Sequence, residues 1–246
     1  MPLTPRRVLK QFRYAMYFDG VDDYVRTVST ISLSTPITVV VWFSHIDKYN
    51  VLALVANAGA GYYALGFRFF VNTYGTQDRR LRIEAATGTS GSDLSTPVNA
   101  VQPGVWNHGT AVINSGNSSL WLNWQKLDSG SLLDFTKTDY VYIGTMAYSL
   151  YFCGYISQVL IYSRALSDSE IQWNYQYPDN PVKNGLVLWL KADPQYVKDI
   201  DGDGILEWVD LSGYGNHGKI YGAQLVQLIK TPARVLKPAR VLSPAR

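Results

Sequence analysis

Short apolar or alternating runs, separated by turn-forming clusters at close spacing, fill most of this chain. They cover residues 15–18, 24–27, 38–44, 51–57, 63–71, 81–86, 106–113, 119–123, 140–143, 154–162 and 186–190. Between them lie Asp19-Gly20, Asn57-Ala-Gly59, Ser90-Gly-Ser92, Ser115-Gly116-Asn117 and Asp128-Ser-Gly130. Side chains alternate across a strand, so runs of this length bounded by turn residues predict an all-β protein, an antiparallel β-sandwich or jelly roll. One helical signal stands out. Ser167-Asp168-Ser169-Glu170 reads as a capping box ahead of Ile171, Trp173 and Asn174, and predicts a short helix closing the domain.

Several segments, in order, resemble the laminin-G-like jelly roll of the concanavalin A-like lectin and glucanase superfamily. They are Ala15-Met-Tyr-Phe-Asp-Gly-Val-Asp-Asp-Tyr-Val25, Pro36-Ile-Thr-Val-Val-Val-Trp42, Trp106-Asn-His108 with Leu120-Trp-Leu-Asn123, and Tyr142-Ile-Gly144 followed by Gly154-Tyr-Ile-Ser-Gln-Val159 and Ile161-Tyr-Ser-Arg-Ala-Leu-Ser-Asp168. The resemblance spans about residues 14–176. A further stretch, Asn184-Gly-Leu-Val-Leu-Trp-Leu-Lys-Ala-Asp193 through Leu211-Ser-Gly-Tyr-Gly-Asn-His-Gly-Lys-Ile-Tyr-Gly-Ala223, resembles the opening of the same domain, yet here it follows the closing helix. Two repairs follow. Residues 182–223 can fold back on the 14–181 body in cis, or complete the sheet of a neighbouring subunit head-to-tail, since open strand edges invite pairing between chains.

The flanking segments, 1–13 and 224–246, share a motif. Pro232-Ala-Arg-Val-Leu-Lys, Pro238-Ala-Arg-Val-Leu-Ser and Pro244-Ala-Arg246 repeat with period six, and Pro5-Arg6-Arg7-Val8-Leu9-Lys10 is a fourth copy. Proline at this period forbids helix, while an even period keeps each Val and Leu on one face of an extended arm. Arg7, Val8, Leu9, Arg234, Val235, Leu236, Arg240, Val241 and Leu242, with Trp189 of the displaced segment, are therefore expected assembly contacts. Charge agrees: ten basic and no acidic residues lie in 1–18 and 211–246, against twelve basic and nineteen acidic in the body between. Basic arms suit acidic bodies of identical subunits; nucleic acid is the lesser expectation, because the arms lack interleaved aromatics and the body repels phosphate. The resulting expectation is a non-enzymatic subunit that assembles into an extracellular filament, surface layer or virion component. The alternative is a monomeric carbohydrate-binding adhesion module.

Composition bounds these readings. Of 246 residues 47% are hydrophobic and 13% aromatic, ample for a core, and the lone Cys153 excludes an intrachain disulfide. No apolar stretch is long enough to span a bilayer, and no secretion signal is visible at the N-terminus, so an extracellular, cell-surface or virion location implies processing or another route of export.

Candidate chemistry centres on Asp199, Asp201, Asp203, the Ile205 carbonyl and Asp210, which match positions one, three, five, seven and twelve of a twelve-residue calcium loop with Gly204 at six. Asp-Gly-Asp-Gly between short apolar pairs reads equally as a hairpin turn. The resemblance implies a second calcium position near Asp22 and Asp23, but Ser157 and Gln158 replace the family's acidic pair. Glycan contacts are expected from Trp121, Trp124, Tyr148 and Tyr151, whose rings can stack on sugars. Catalysis is not expected. The glucanase pattern of two glutamates flanking an aspartate on one strand is missing, Glu84, Glu170 and Glu207 being the only glutamates, and His45, His108 and His217 form no metal pair.

Overall fold

A computed structural model describes residues 12–146 and 148–228. The arm residues expected to mediate assembly, Arg7, Val8, Leu9, Arg234, Val235, Leu236, Arg240, Val241 and Leu242, lie outside the described residues.

Two antiparallel sheets face each other across one core. With strands numbered in chain order, the first sheet runs β11 (Gln125–Gly130), β10 (Ser118–Leu122), β9 (Asn107–Ile113), β4 (Ile37–His45), β14 (Cys153–Tyr162), β1 (Tyr14–Asp19) and β19 (Gln224–Gln227), with β15 (Leu186–Lys191) also on β14. The second runs β16 (Val197–Lys198), β17 (Glu207–Trp208), β18 (Gly218–Tyr221), β2 (Tyr24–Thr27), β13 (Tyr142–Ile143), β5 (Leu52–Ala56), β6 (Gly66–Val71), β7 (Leu81–Ala86) and β8 (Gly91–Ser95). A separate pair joins β3 (Ile31–Ser34) to β12 (Thr136–Asp139).

The unbroken apolar run of β4 follows from burial on both faces. Ile37, Val39, Val41 and Phe43 enter the core between the sheets, while Val40 and Trp42 turn outward and are covered as well. Val40 packs beside Ile171 of helix α1 (Asp168–Gln176), and Trp42 stacks on Tyr175 of the same helix at 5.5 Å. The helix begins at the predicted capping box: Ser167 accepts from the Glu170 N–H, and Glu170 accepts from the Ser167 N–H. The predicted strand at 63–71 begins only at Gly66. Buried Arg68, paired with Glu84, donates to the carbonyls of Gly59, Gly61, Tyr62 and Ala64, so the preceding residues fold as a loop over its guanidinium.

The displaced segment closes the fold in cis. β4 occupies one edge of β14 along its length; the opposite edge is shared end to end by β1, from Met16 opposite Ile156 to Asp19 opposite Cys153, and β15, from Leu186 opposite Tyr162 to Lys191 opposite Gln158. β18 pairs with β2, and β19 with β1, so the pairing runs past Ala223 to Gln227. The Leu228 N–H then bonds the Arg13 carbonyl at 2.8 Å. Leu188, Leu190 and Trp208 join the same core as Phe18, Val25 and Phe43. Strands after the closing helix thus join both sheets of the sandwich.

Trp208 is fully buried in that core. We expect Trp208→Ala to cost about 3–5 kcal/mol in urea unfolding, as a core substitution in β4 would; a loss below about 1 kcal/mol would show the segment to be peripheral. Two buried histidines tie stability to acid. No ring nitrogen of His45 or His108 has a hydrogen-bond partner among the described residues, and burial lowers the first to about 4 and the second to about 3. Both stay neutral when folded and protonate near pH 6.5 when unfolded, so their contribution is complete above that pH and lost as pH falls through it toward the folded values. Stability should fall by up to about 1.4 kcal/mol per pH unit per histidine between roughly pH 6 and 4.5. His108→Phe should halve that slope, and an unchanged slope would place the acid sensitivity elsewhere.

Candidate functional site

Alternation along three adjacent strands sets the chemistry of the second sheet's outer face. Val25 of β2 and Ile143 of β13 enter the core, and Ile220 of β18 packs against it, so Tyr24, Arg26, Tyr142, Lys219 and Tyr221 project outward. The register places Tyr24 opposite Tyr221, and Arg26 between Lys219 and Tyr142.

The loop between β13 and β14 adds a further ring. A bridge between Thr145 and Tyr151, with the bond from the Phe152 N–H to the Gly144 carbonyl, pinches its base. At its tip Tyr148 has φ 70° and is 45% exposed, its N–H bonded to Thr145 Oγ1. A bulky residue in the left-handed region costs about 1 kcal/mol or more, which ring contacts offset here. Tyr148 meets Tyr24 edge-on at 5.0 Å and Tyr142 at 5.4 Å, while Tyr24 stacks on Tyr221 at 4.6 Å.

Arg26 is the centre of this cluster. Its guanidinium carbon lies 4.6 Å from the Tyr140 ring centroid and 5.8 Å from that of Tyr221, and Nη1 donates to the Tyr148 hydroxyl at 3.4 Å. Burial, with Tyr148 and Tyr221 beside it, pushes the Tyr24 phenol up to about 12. Tyr148 moves the other way: burial alone would raise it, but hydrogen bonds from Tyr142 and Arg26 outweigh burial and lower it. The patch is therefore a half-exposed sheet of aromatic rings with hydroxyls and one guanidinium among them. Such a surface can stack on the C–H face of a sugar ring while bonding its oxygens.

The expected glycan residues are dispersed by the fold. Tyr148 belongs to the patch, and Tyr151 sits at the base of its loop. Trp121 is only 5% exposed, packed beside Val40 and Val112 with Lys126 over its ring, so it has no free face for a sugar. Trp124 is exposed, but at the β10–β11 hairpin of the other sheet. Tyr24, Arg26, Tyr140, Tyr142 and Tyr221 escaped the sequence reading. The Tyr-x-Arg and Tyr-x-Tyr alternations were the available signal, but nothing local indicates that β18 docks on β2. Trp189, expected at an assembly contact, is half-buried on β15 with the Lys183 ammonium 3.6 Å from its ring centroid.

The aspartate-rich loop is the turn of the β16–β17 hairpin. Asp199, Asp201 and Glu207 converge there, with ligand atoms within 4.8 Å of one another. Asp203 instead bonds Lys219, which also pairs with Asp201 at 2.9 Å, so an ammonium already neutralises this side. The Ile205 N–H bonds Asp203. Asp210 departs from the calcium-loop pattern: it is buried and accepts from the N–H groups of Trp189, Ser212 and Asn216, because it organises the following turn. Asp23 is likewise buried, accepts from the Asp19 N–H, and has its carboxyl raised by burial. Ser157 and Gln158 donate to the carbonyls of Tyr14 and Pro178. Each glutamate is also committed, Glu84 to Arg68, Glu170 to Arg164 and Glu207 to the Ile200 N–H.

A laminin-G-type family model, described as the concanavalin A-like lectin/glucanases superfamily, matches residues 19–172. The chain belongs to this superfamily. Among solved structures, the jelly roll is similar to a candidate carbohydrate-binding protein of Bacteroides ovatus, at TM-score 0.64 and 16% identity over 88% of this chain. The chain spans 60% of that protein's length. A pentraxin of Limulus polyphemus, serum-amyloid-P-like, aligns at TM-score 0.49 and 14% identity over 66% of this chain and 82% of its own. The mouse laminin α1 LG4–5 domains align at 0.46 and 14% over 63% and 44%. No curated protein matches the sequence. At these identities the superfamily likeness establishes the fold alone.

Proposed function

We propose that this superfamily member is a carbohydrate-binding module, and that it holds sugar on the Tyr24, Arg26, Tyr140, Tyr142, Tyr148 and Tyr221 face. The observation carrying this reading is the grouping of half-exposed tyrosines around one arginine on the outward side of the second sheet. Exposed aromatic faces are costly to leave in water and are held here in fixed orientation, one of them on strained backbone, which suits a preformed platform. The similarity to a candidate carbohydrate-binding protein supports the reading at the level of fold. Commitment of all three glutamates to structural bonds favours binding over hydrolysis. Sugar of an extracellular or cell-surface kind is the natural partner. Among the described residues no helix is long and apolar enough to cross a membrane.

Glycan-array screening followed by calorimetry on the best hit tests it. Tyr24→Ala and Tyr148→Ala should each weaken binding about 10-fold, the equivalent of one lost stacking contact, while Trp124→Ala leaves it unchanged. Equal affinities for all three variants and the parent would remove the platform from the site.

A second reading, self-association through the arms, is supported by the contact between Leu228 and Arg13, which anchors two basic segments bearing one motif at neighbouring points of a single sheet edge. Light scattering should then report oligomers of the full chain and a monomer for a chain restricted to residues 12–228; monomers of both would end this reading.

A further inference from the structure

Resting on the carbohydrate-binding reading, we infer that the sugar is acidic and that its carboxylate sits on Arg26. The inference begins with how this chain distributes its cations. Arg68 is paired with Glu84, Arg79 with Asp47, Arg80 with Asp78, Arg82 with Asp93 and Arg164 with Glu170. Lys219, next to Arg26 across the strands, spends its charge on Asp201 and Asp203. Arg26 has no carboxylate within ion-pair distance among the described residues. It is nonetheless half-buried, and its Nε is buried without a hydrogen-bond partner.

A guanidinium removed from water without a counter-charge is costly unless something compensates it. Tyrosine faces and one hydroxyl supply part of that compensation here, and no carboxylate among the described residues supplies the rest. The same contacts hold the group still: its central carbon lies 4.6 Å from the Tyr140 ring centroid and Tyr148 holds Nη1. A planar donor fork of fixed orientation, ringed by aromatic faces, is complementary to a carboxylate on a ring whose C–H face lies against tyrosine. A neutral sugar would use the rings and leave the charge unmatched. Two oxygens of a tetrahedral sulfate can also meet a guanidinium fork, so a sulfated probe is the direct competitor of the carboxylated one.

Calorimetry with four probes separates these cases: lactose, lactose carrying a sialic acid, a glucuronic-acid-containing disaccharide and lactose carrying a sulfate. At least one carboxylated probe should bind 10-fold or more tighter than lactose, with affinity falling as salt rises. Arg26→Gln should weaken that probe at least 10-fold more than it weakens lactose. Arg26→Lys, which keeps the charge without the fork, should fall between. Thermal melts of both variants matching the parent show that the loss is not unfolding; if either variant melts early, loss of the preference on converting the probe's carboxylate to its methyl ester, measured on the parent chain, serves the same purpose. Equal binding of lactose and both carboxylated probes, or preference for the sulfated one, overturns the inference and leaves the platform intact. Affinity that persists in Tyr24→Ala overturns the platform itself.

Discussion

The open edge of β14 is the constraint on which the rest of this molecule depends. From Gly154 to Tyr162 that strand pairs with β4 along one side, and an unpaired opposite edge would leave a row of backbone donors and acceptors at the centre of a sheet. β1 is too short to cover it. The remainder is covered by β15, which the chain reaches only after the closing helix and the turn beyond it. Once β15 is seated, Leu188 and Leu190 lie in the core, and the segment after them is drawn to the second sheet, where Trp208 fills the interior and β18 pairs with β2. One demand for backbone pairing thus commits some forty residues to both layers of the sandwich.

The aromatic patch is a consequence of that closure. Half of its stacked pair, Tyr221, and the neighbour of Arg26, Lys219, are carried by β18, and both reach the site only because the displaced segment completes the sheet in cis. Lys219 has a further part. Its ammonium pairs with Asp201 and Asp203 of the acidic hairpin turn, while Arg26 across the strands has aromatic walls and no carboxylate partner among the described residues. Binding surface and fold completion are built from the same strand.

Most of the sandwich was legible in the sequence wherever a strand has at least one apolar face against the core. The segments at β1, β2, β4, β7, β9 and β14 fall where the alternation placed them, because burial of one or both faces imposes the period. The helix start was legible for a local reason, the reciprocal bonds of Ser167 and Glu170. The polar strands β8, β11 and β12 were not: Gly91-Ser-Asp-Leu-Ser95 and Thr136-Lys-Thr-Asp139 pair at or near edges where little is buried, so hydrophobic period is weak there.

By itself the sequence determined the class of fold, the superfamily likeness and the basic repeats that flank the body, all of them properties of local pattern or of composition along the chain. The tertiary structure decided what local pattern cannot carry. It pairs β15, β18 and β19 with strands of the same chain, sets Asp210 in a turn and not in the aspartate loop, and covers Trp121. It also brought Tyr24, Arg26, Tyr142, Tyr148 and Tyr221 onto one face. The physical reason is the same throughout: each depends on which strand edges meet, and edge pairing is set by backbone hydrogen bonds between segments far apart in sequence, whose side chains give no local sign of their partner.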